Sequence, residues 1–336
     1  MPPAMPDGTE DVLLAEVTRG PLVESRHYGR AVVVDGHGHV LETIGSQEAP
    51  ILPRSAIKPL QALPTIALAR ERGVALTDGE IAVMCASHAA EPFHLAAVRA
   101  LLARAGASEA DLHCGPHMPG HAETARQLLC AGQSPLPIHN NCSGKHAGML
   151  LMAHLLGAPL AGYWEEGHPV QRRIQDVLLR LGGIAGPLEW GIDGCGVPTY
   201  AMPLVAMARA FARLAHPSDL PPAEAAAADA IRAAMFACPE YVSSTGSFHA
   251  LLLRAGGGRF VSKSGAEGCH AIGVTDPPLG IAIKIGDGDA RAMAPILLAL
   301  LARHGALPAD PELERWRSVP VPNTRGAIVG SIRAVV

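Results

Sequence analysis

Lysine is scarce in this chain: four residues (Lys58, Lys145, Lys263 and Lys284) stand against twenty-three arginines. Where Arg fills nearly every basic position, a retained Lys suggests chemistry Arg cannot do, because an amine can lose its proton and act as a base. Net charge is also small. A formal value of -4 gives no reason to expect nucleic acid or an anionic membrane as a partner. Residues Met1 to Leu14 are acidic and contain Pro, with no basic segment ahead of an apolar run, so no signal peptide is read there. Long hydrophobic runs are missing too. The apolar stretch from Met149 to Leu160 is broken by His154, Gly157 and Pro159, well short of a membrane span. Seven cysteines, an odd number without repeated spacing, argue for reduced thiols or metal ligands rather than a disulfide framework. These absences together predict a cytoplasmic globular protein.

With 49% apolar and 17% charged residues over 336 positions, the chain has the composition of a compact protein with a large core. Residues 1–10 read as a flexible tail and residues 11–336 as a single unit without internal repeats. Val12 to Val17 has strand character, and Ala31 to Val34 with Asp35-Gly36 and Val40-Leu41 reads as a hairpin. Asp35, His37 and His39 offer ligand types, but a polar hairpin turn accounts for them. A helix is expected over Arg54 to Ala69, limited in regularity by Pro59 and Pro64. Another is expected from Pro169 to a Gly182-Gly183 stop. Further helices are expected at Met202 to Ala215 and Ala290 to His304, with a buried one over Met149 to Leu156. Phe260 to Ser264, His270 to Val274 and Ile281 to Ile285 are spaced for an antiparallel meander, and Ala327 to Val335 reads as a last strand. The fold expected is α/β, with an antiparallel sheet formed by the terminal regions and a largely helical insertion. His113, Cys114, His117 and His121 crowd a Gly/Pro loop without a recognised metal-site spacing.

Chemistry concentrates in a few polar stretches. Ser55-x-x-Lys58 alone is weak, since an ordinary helix start with a capping Ser and a solvated Lys gives the same pattern. It gains weight from Ser87 and from Lys263-Ser264-Gly265 on an expected strand. Serine–lysine acyl-transfer enzymes combine a Ser-x-x-Lys, a second polar Ser motif and a later Lys-Thr-Gly in that order. A Ser hydroxyl needs a base to become a nucleophile. Lys58 serves if burial and a second ammonium at Lys263 lower its pKa, and Ser87 can relay protons. Cys142-x-x-Lys145 and Cys195 lie in two Gly-rich loops, where they could share a metal, remain buried thiols or form an oxidisable dithiol.

The segments Arg54-Ser55-Ala56-Ile57-Lys58-Pro59-Leu60-Gln61, Cys85-Ala86-Ser87-His88, Asn140-Asn141-Cys142-Ser143-Gly144-Lys145-His146, Asp193-Gly194-Cys195-Gly196-Val197-Pro198 and Ser262-Lys263-Ser264-Gly265-Ala266-Glu267-Gly268 resemble the asparaginase II family, the rhizobial-type or class 3 L-asparaginases. The resemblance runs from about Leu14 to the C-terminus. It implies a serine β-lactamase/penicillin-binding-protein-like fold, a homodimer, and hydrolysis of L-asparagine to L-aspartate and ammonia. It also implies Ser55 as nucleophile, Lys58 and Ser87 as proton-handling partners, and Lys263 completing the tetrad. Arg54, His146 and Asp193 would contact substrate, and Cys142, Lys145 and Cys195 would bind zinc in a supporting role. Other readings are a serine β-lactamase or glutaminase-like amidase on the same scaffold, or a non-catalytic zinc- or thiol-sensing protein.

Overall fold

The computed structural model describes residues 11–336; the expected tail at residues 1–10 lies outside the described residues. Alternating and continuous apolar runs near the two ends of the chain pair into one eight-stranded antiparallel sheet. From the N-terminal side come β1 (Val12–Arg19), β2 (Leu22–Asp35) and β3 (Val40–Ile44). After two short strands, β4 (Pro50–Ile51) and β5 (Trp190–Ile192), come β6 (Pro198–Tyr200) and β7 (Met202–Pro203). The sheet then takes β8 (Phe260–Gly265), β9 (Cys269–Val274), β10 (Leu279–Ile285), β11 (Ser318–Pro322) and β12 (Ile328–Ala334) from the C-terminal side. Its order is β11-β12-β1-β2-β10-β9-β8, with β3 added to β2. The junction is the long β2, whose second half pairs with β10 through Val32↔Ala282 and with β3 through Val34↔Val40. The meander expected at residues 260–285 is β8 to β10. In β9 all six residues are buried, the continuous pattern of a covered strand.

The residues between the two strand groups are largely helical, as expected. They include α1 (Lys58–Glu71), α2 (Asp78–Met84), α3 (Pro92–Arg104), α4 (Ala122–Cys130), α5 (Ser143–Leu156) and α6 (Pro169–Gly182). These are followed by α7 (Leu204–Ala215), α8 (Pro222–Ala237), α9 (Pro239–Val242) and α10 (Phe248–Ala255), and after the meander by α11 (Met293–Arg303) and α12 (Pro311–Glu314). Helix α7 packs on β2, β9 and β10, while α1 packs against α5 and α8, so the core runs continuously from sheet to helices. No helix among the described residues is long and apolar enough to cross a membrane.

Two boundaries differ from the sequence reading, and both matter for the site. Residues Arg54–Ile57 form a tight 3₁₀ turn before α1 begins at Lys58. Pro59 falls in the first turn, where its missing N–H costs nothing, while Pro64 is carried inside the helix. Helix α5 starts at Ser143, six residues before the apolar run, because Ser143, Gly144, Lys145 and His146 are all buried despite their polarity. Apolar periodicity cannot register a first turn of that composition. The hairpin at Asp35 is an ordinary polar turn: Asp35 Oδ1 accepts from the backbone N–H groups of His37 and His39, each at 2.9 Å.

Candidate active site

The 3₁₀ turn runs directly into α1 and packs against strands β8 and β9. Its first residue, Arg54, has φ 53, a left-handed conformation that a side chain other than Gly adopts only when its surroundings enforce it. Ser55, next in line, is half-buried. Strand β8 reaches the turn closely. A Cβ on Gly265 would lie 2.5 Å from Pro53 O and 2.9 Å from Ala56 N, so the end of Lys263-Ser264-Gly265 rests on backbone there. Likewise a Cβ on Gly144 would sit 2.2 Å from Val83 O, which brings α5 onto α2 and its following loop.

Lys58, fully buried, turns back from the first turn of α1 into this junction. Its Nζ donates to Ala86 O at 2.5 Å, Ser87 Oγ at 3.1 Å and Asn141 O at 3.5 Å. The Ser87 loop is fixed on two sides. Ser87 N donates to Val242 O and His88 N to Asn141 O, both at 3.1 Å. His88 Nδ1 accepts from Ala90 N, so its ring proton is on Nε2, 2.9 Å from Ser143 Oγ, which in turn donates to Ile138 O. Lys263 is 1% exposed, and its Nζ donates to Ser264 O at 2.6 Å. Burial, reinforced by the positive charge of Lys58, pushes the Lys263 amine down to about 7.

A second group of side chains flanks the first. The hairpin of β5 and β6 closes through a tight turn, with Asp193 N donating to Val197 O, and presents Asp193 and Cys195. Asp193 Oδ1 accepts from Arg54 Nε at 2.6 Å. Burial opposes its ionisation, yet Lys145 and Arg54 outweigh this and hold the carboxyl below its ordinary range. Lys145 Nζ donates to Cys195 Sγ at 2.9 Å and lies 3.9 Å from Asp193 Oδ2. A hydrogen bond from Cys142 and the charge of Lys145 bring Cys195 down to about 5, against the burial that opposes its ionisation. Cys142, the donor, is pushed up to about 12 by the same bond and by burial. Tyr163 Oη accepts from His113 N at 2.9 Å and lies 2.7 Å from His146 Nδ1, so it donates its proton to that nitrogen. Burial pushes His146 well below the usual imidazole value, and the neutral ring carries its proton on Nε2, which has no partner among the described residues.

The residues singled out in the sequence thus fall into two adjoining groups. Lys58 meets Ser87, and the turn carrying Ser55 packs on β8, the strand of Lys263, while Arg54 links that turn to Asp193, beside Cys142, Lys145 and Cys195. His146 lies one turn along α5. The carbonyls of Ala86 and Asn141 and the hydroxyl of Tyr163 had no signal in the sequence, because a backbone acceptor and a distant tyrosine become visible only once the chain is folded. Among the described residues, no three His, Cys, Asp or Glu side chains gather as a metal site. The His113 cluster does not form one: His113 stacks on Trp164 at 3.7 Å, and His121 caps α4. The donor set of Cys142, Lys145 and Cys195 does fit a zinc ion, with one ready thiolate, a neighbouring thiol and an amine, provided that thiol and amine release their protons.

Solved structures that resemble this chain include Mglu, with 14% identity, a TM-score of 0.47, and coverage of 84% of this chain and 68% of that one. The octameric penicillin-binding protein homologue from Pyrococcus abyssi shares 14% identity at a TM-score of 0.47, covering 92% and 84%. A β-lactamase from Mycobacterium bovis shares 15% at 0.43, covering 82% and 94%. Among curated proteins, none matches. The family model described as L-asparaginase II matches residues 15–334, nearly the whole chain, and it alone carries the assignment. The chain belongs to the L-asparaginase II family, and an amidohydrolase of the L-asparaginase type is the class of enzyme that membership supports.

Proposed function

We propose that the protein hydrolyses the side-chain amide of L-asparagine to L-aspartate and ammonia by serine–lysine nucleophilic catalysis. The observation that carries the reading is the junction of the Ser55 turn with two buried lysines, beside an Arg54–Asp193 pair at 2.6 Å. In this reading Ser55 attacks the amide carbon, and Lys58, Ser87 and Lys263 handle the protons. An amino-acid substrate carries one carboxylate and one ammonium. Arg54 binds Asp193 through Nε, so the rest of its guanidinium is suited to the α-carboxylate, and the second oxygen of Asp193 suits the α-ammonium. The Nε2–H of His146 is a buried donor suited to an oxygen of the substrate. Cys142, Lys145 and Cys195 would hold zinc, whose positive charge would polarise and shape the pocket wall. We extend the reading to a homodimer, which light scattering of the purified protein checks.

The test is ammonia release from L-asparagine, L-glutamine and a chromogenic β-lactam. Wild type should act on asparagine, and Ser55→Ala should lower kcat roughly 10⁴-fold or more. Undiminished hydrolysis by Ser55→Ala would remove the nucleophile, and turnover of the β-lactam alone would remove the substrate.

A further inference from the structure

Three of the four lysines stand in the two groups of side chains around Ser55 and Cys195; the fourth, Lys284, is on β10. Twenty-three basic positions of this chain are Arg, so a Lys kept at 284 points to a task that a guanidinium does badly.

The strand register shows where that task lies. Lys284 is opposite Cys269 of β9, and Cys269 is opposite Gly265 of β8. Directly opposed residues share a face of the sheet, so the three form one row running from β10 to β8. Lys263, two residues before Gly265, leaves that same face. The row supports residues 52–56. Cys269 Sγ donates to Leu52 O at 3.6 Å, and a Cβ on Gly265 would lie 2.5 Å from Pro53 O and 2.9 Å from Ala56 N. Ser55 falls between these contacts in the chain.

At the β10 end of the row, half-buried Lys284 turns back onto the backbone. Its Nζ donates to Glu267 O at 2.7 Å and to Ile285 O at 2.6 Å. Glu267 is in the turn that joins β8 to β9, where φ is 58 at Glu267 and 63 at Gly268. A glycine takes such values freely, but a Glu keeps a left-handed backbone only where its surroundings hold it. Lys284 supplies one hold, on Glu267 O. The backbone supplies another, with Ile285 N donating to Gly268 O at 2.8 Å. The two carbonyls that Lys284 takes belong to different segments. A slim amine with rotatable N–H groups reaches both, whereas Arg carries its N–H groups in a rigid planar fork.

We infer that Lys284 is a positioning residue: it clasps the β8–β9 turn and so keeps the strand of Lys263 seated on the turn that carries Ser55. Its amine is engaged by backbone carbonyls, so it acts through Glu267, Cys269 and Gly265 and not on the reacting atoms. The inference rests on the reading of Ser55 and Lys263 as parts of an acyl-transfer site.

Lys284→Met and Lys284→Arg, made in the full chain, test the clasp. Hydrogen–deuterium exchange of peptides spanning residues 264–270 should speed up roughly tenfold in both variants, while peptides from α7 keep the wild-type rate. For asparagine, kcat should fall roughly tenfold in both with KM unchanged, a fraction of the loss that a full 1 Å misplacement brings. A lysine that only carried surface charge would be replaced by Arg without effect, and one that only stabilised the fold would leave kcat alone. Lys284→Arg, the milder change, keeps the test decisive if Lys284→Met does not fold. Wild-type kcat and turn exchange in Lys284→Arg would overturn the inference, as would a fall in kcat without faster exchange of the turn. Labelling of Ser55 by a fluorophosphonate probe, located by peptide mass spectrometry, separates the clasp from the substrate. Wild type that releases no ammonia from asparagine but is labelled at Ser55, more slowly in both variants, loses the substrate and keeps the clasp. Wild type that hydrolyses asparagine beside variants that match it keeps the asparaginase and loses the clasp.

Discussion

Adding one methyl group at Gly265 tests whether the approach of β8 to the Ser55 turn matters as much as the geometry implies. The new Cβ of Gly265→Ala would meet Pro53 O at 2.5 Å, Ala56 N at 2.9 Å and Ala56 Cβ at 3.3 Å. A carbon–oxygen contact settles at about 3.3–3.6 Å, so the strand and the turn must separate by roughly 1 Å. Two of the three obstructing atoms are backbone, and no rotamer change relieves them. Such overpacking costs about 1–3 kcal/mol of stability. A shift of about 1 Å between Lys263 and Ser55 should lower kcat by roughly 10²-fold. Gly167→Ala is the matching control, since nothing lies within 4 Å of the methyl it would add. Urea unfolding and steady-state asparagine hydrolysis on both variants give the two readouts. If Gly265→Ala unfolds and turns over like Gly167→Ala, the contact between strand and turn does not position the site.

Two further outcomes follow from the buried groups. Burial lowers His94 to about 4 and His249 to about 3, and lowers His88, His146 and His270 well below the ordinary imidazole value. These rings stay neutral in the folded chain and gain protons on unfolding, so their stabilising effect is fully present above about pH 6.5 and is lost as pH falls toward the folded values. Each removes about 1.4 kcal/mol per pH unit within that window, and the urea midpoint should drop steeply from about pH 7 to about pH 5; a flat profile would falsify the neutral-core assignment. Zinc content of purified Cys142→Ser and Cys195→Ser, read by atomic absorption, should fall in both; if neither changes, the ion is held elsewhere or not at all.

Much of the architecture was legible in the chain. The strands at 12–17, 31–34 and 260–285 announced themselves through β-rich runs between turn residues, and the helix at Pro169–Gly182 through one apolar face and its glycine stop. Ser55, Lys58 and Lys263 were legible because lysine is so rare that its company of Ser and Gly stands out. What could not be read depends on tertiary context. The left-handed Arg54 has no local residue code, and its partner Asp193 is 139 positions away. The start of α5 was missed because its buried face is made of Ser, Gly, Lys and His, which hydrophobic periodicity assigns to a loop. Strand β11 carries Pro320 and Pro322, tolerated at the edge of the sheet but contrary to strand propensity.

The way the sheet is shared between the two ends of the chain sets the order in which the molecule can be made. Strands β1 to β3 leave the ribosome first, yet the edge of β2 that will take β10 has no partner until residues 279–285 have been synthesised. Meanwhile more than two hundred residues, mostly helix, pass between them. Until then β2 offers an open, Val-rich ladder that a neighbouring nascent chain could extend. Ser55 is translated early, but the lysine facing its turn comes with β8. The candidate site is therefore complete only after the long-range strand pairing closes, a slow topology in which that site and the vulnerable edge are finished together.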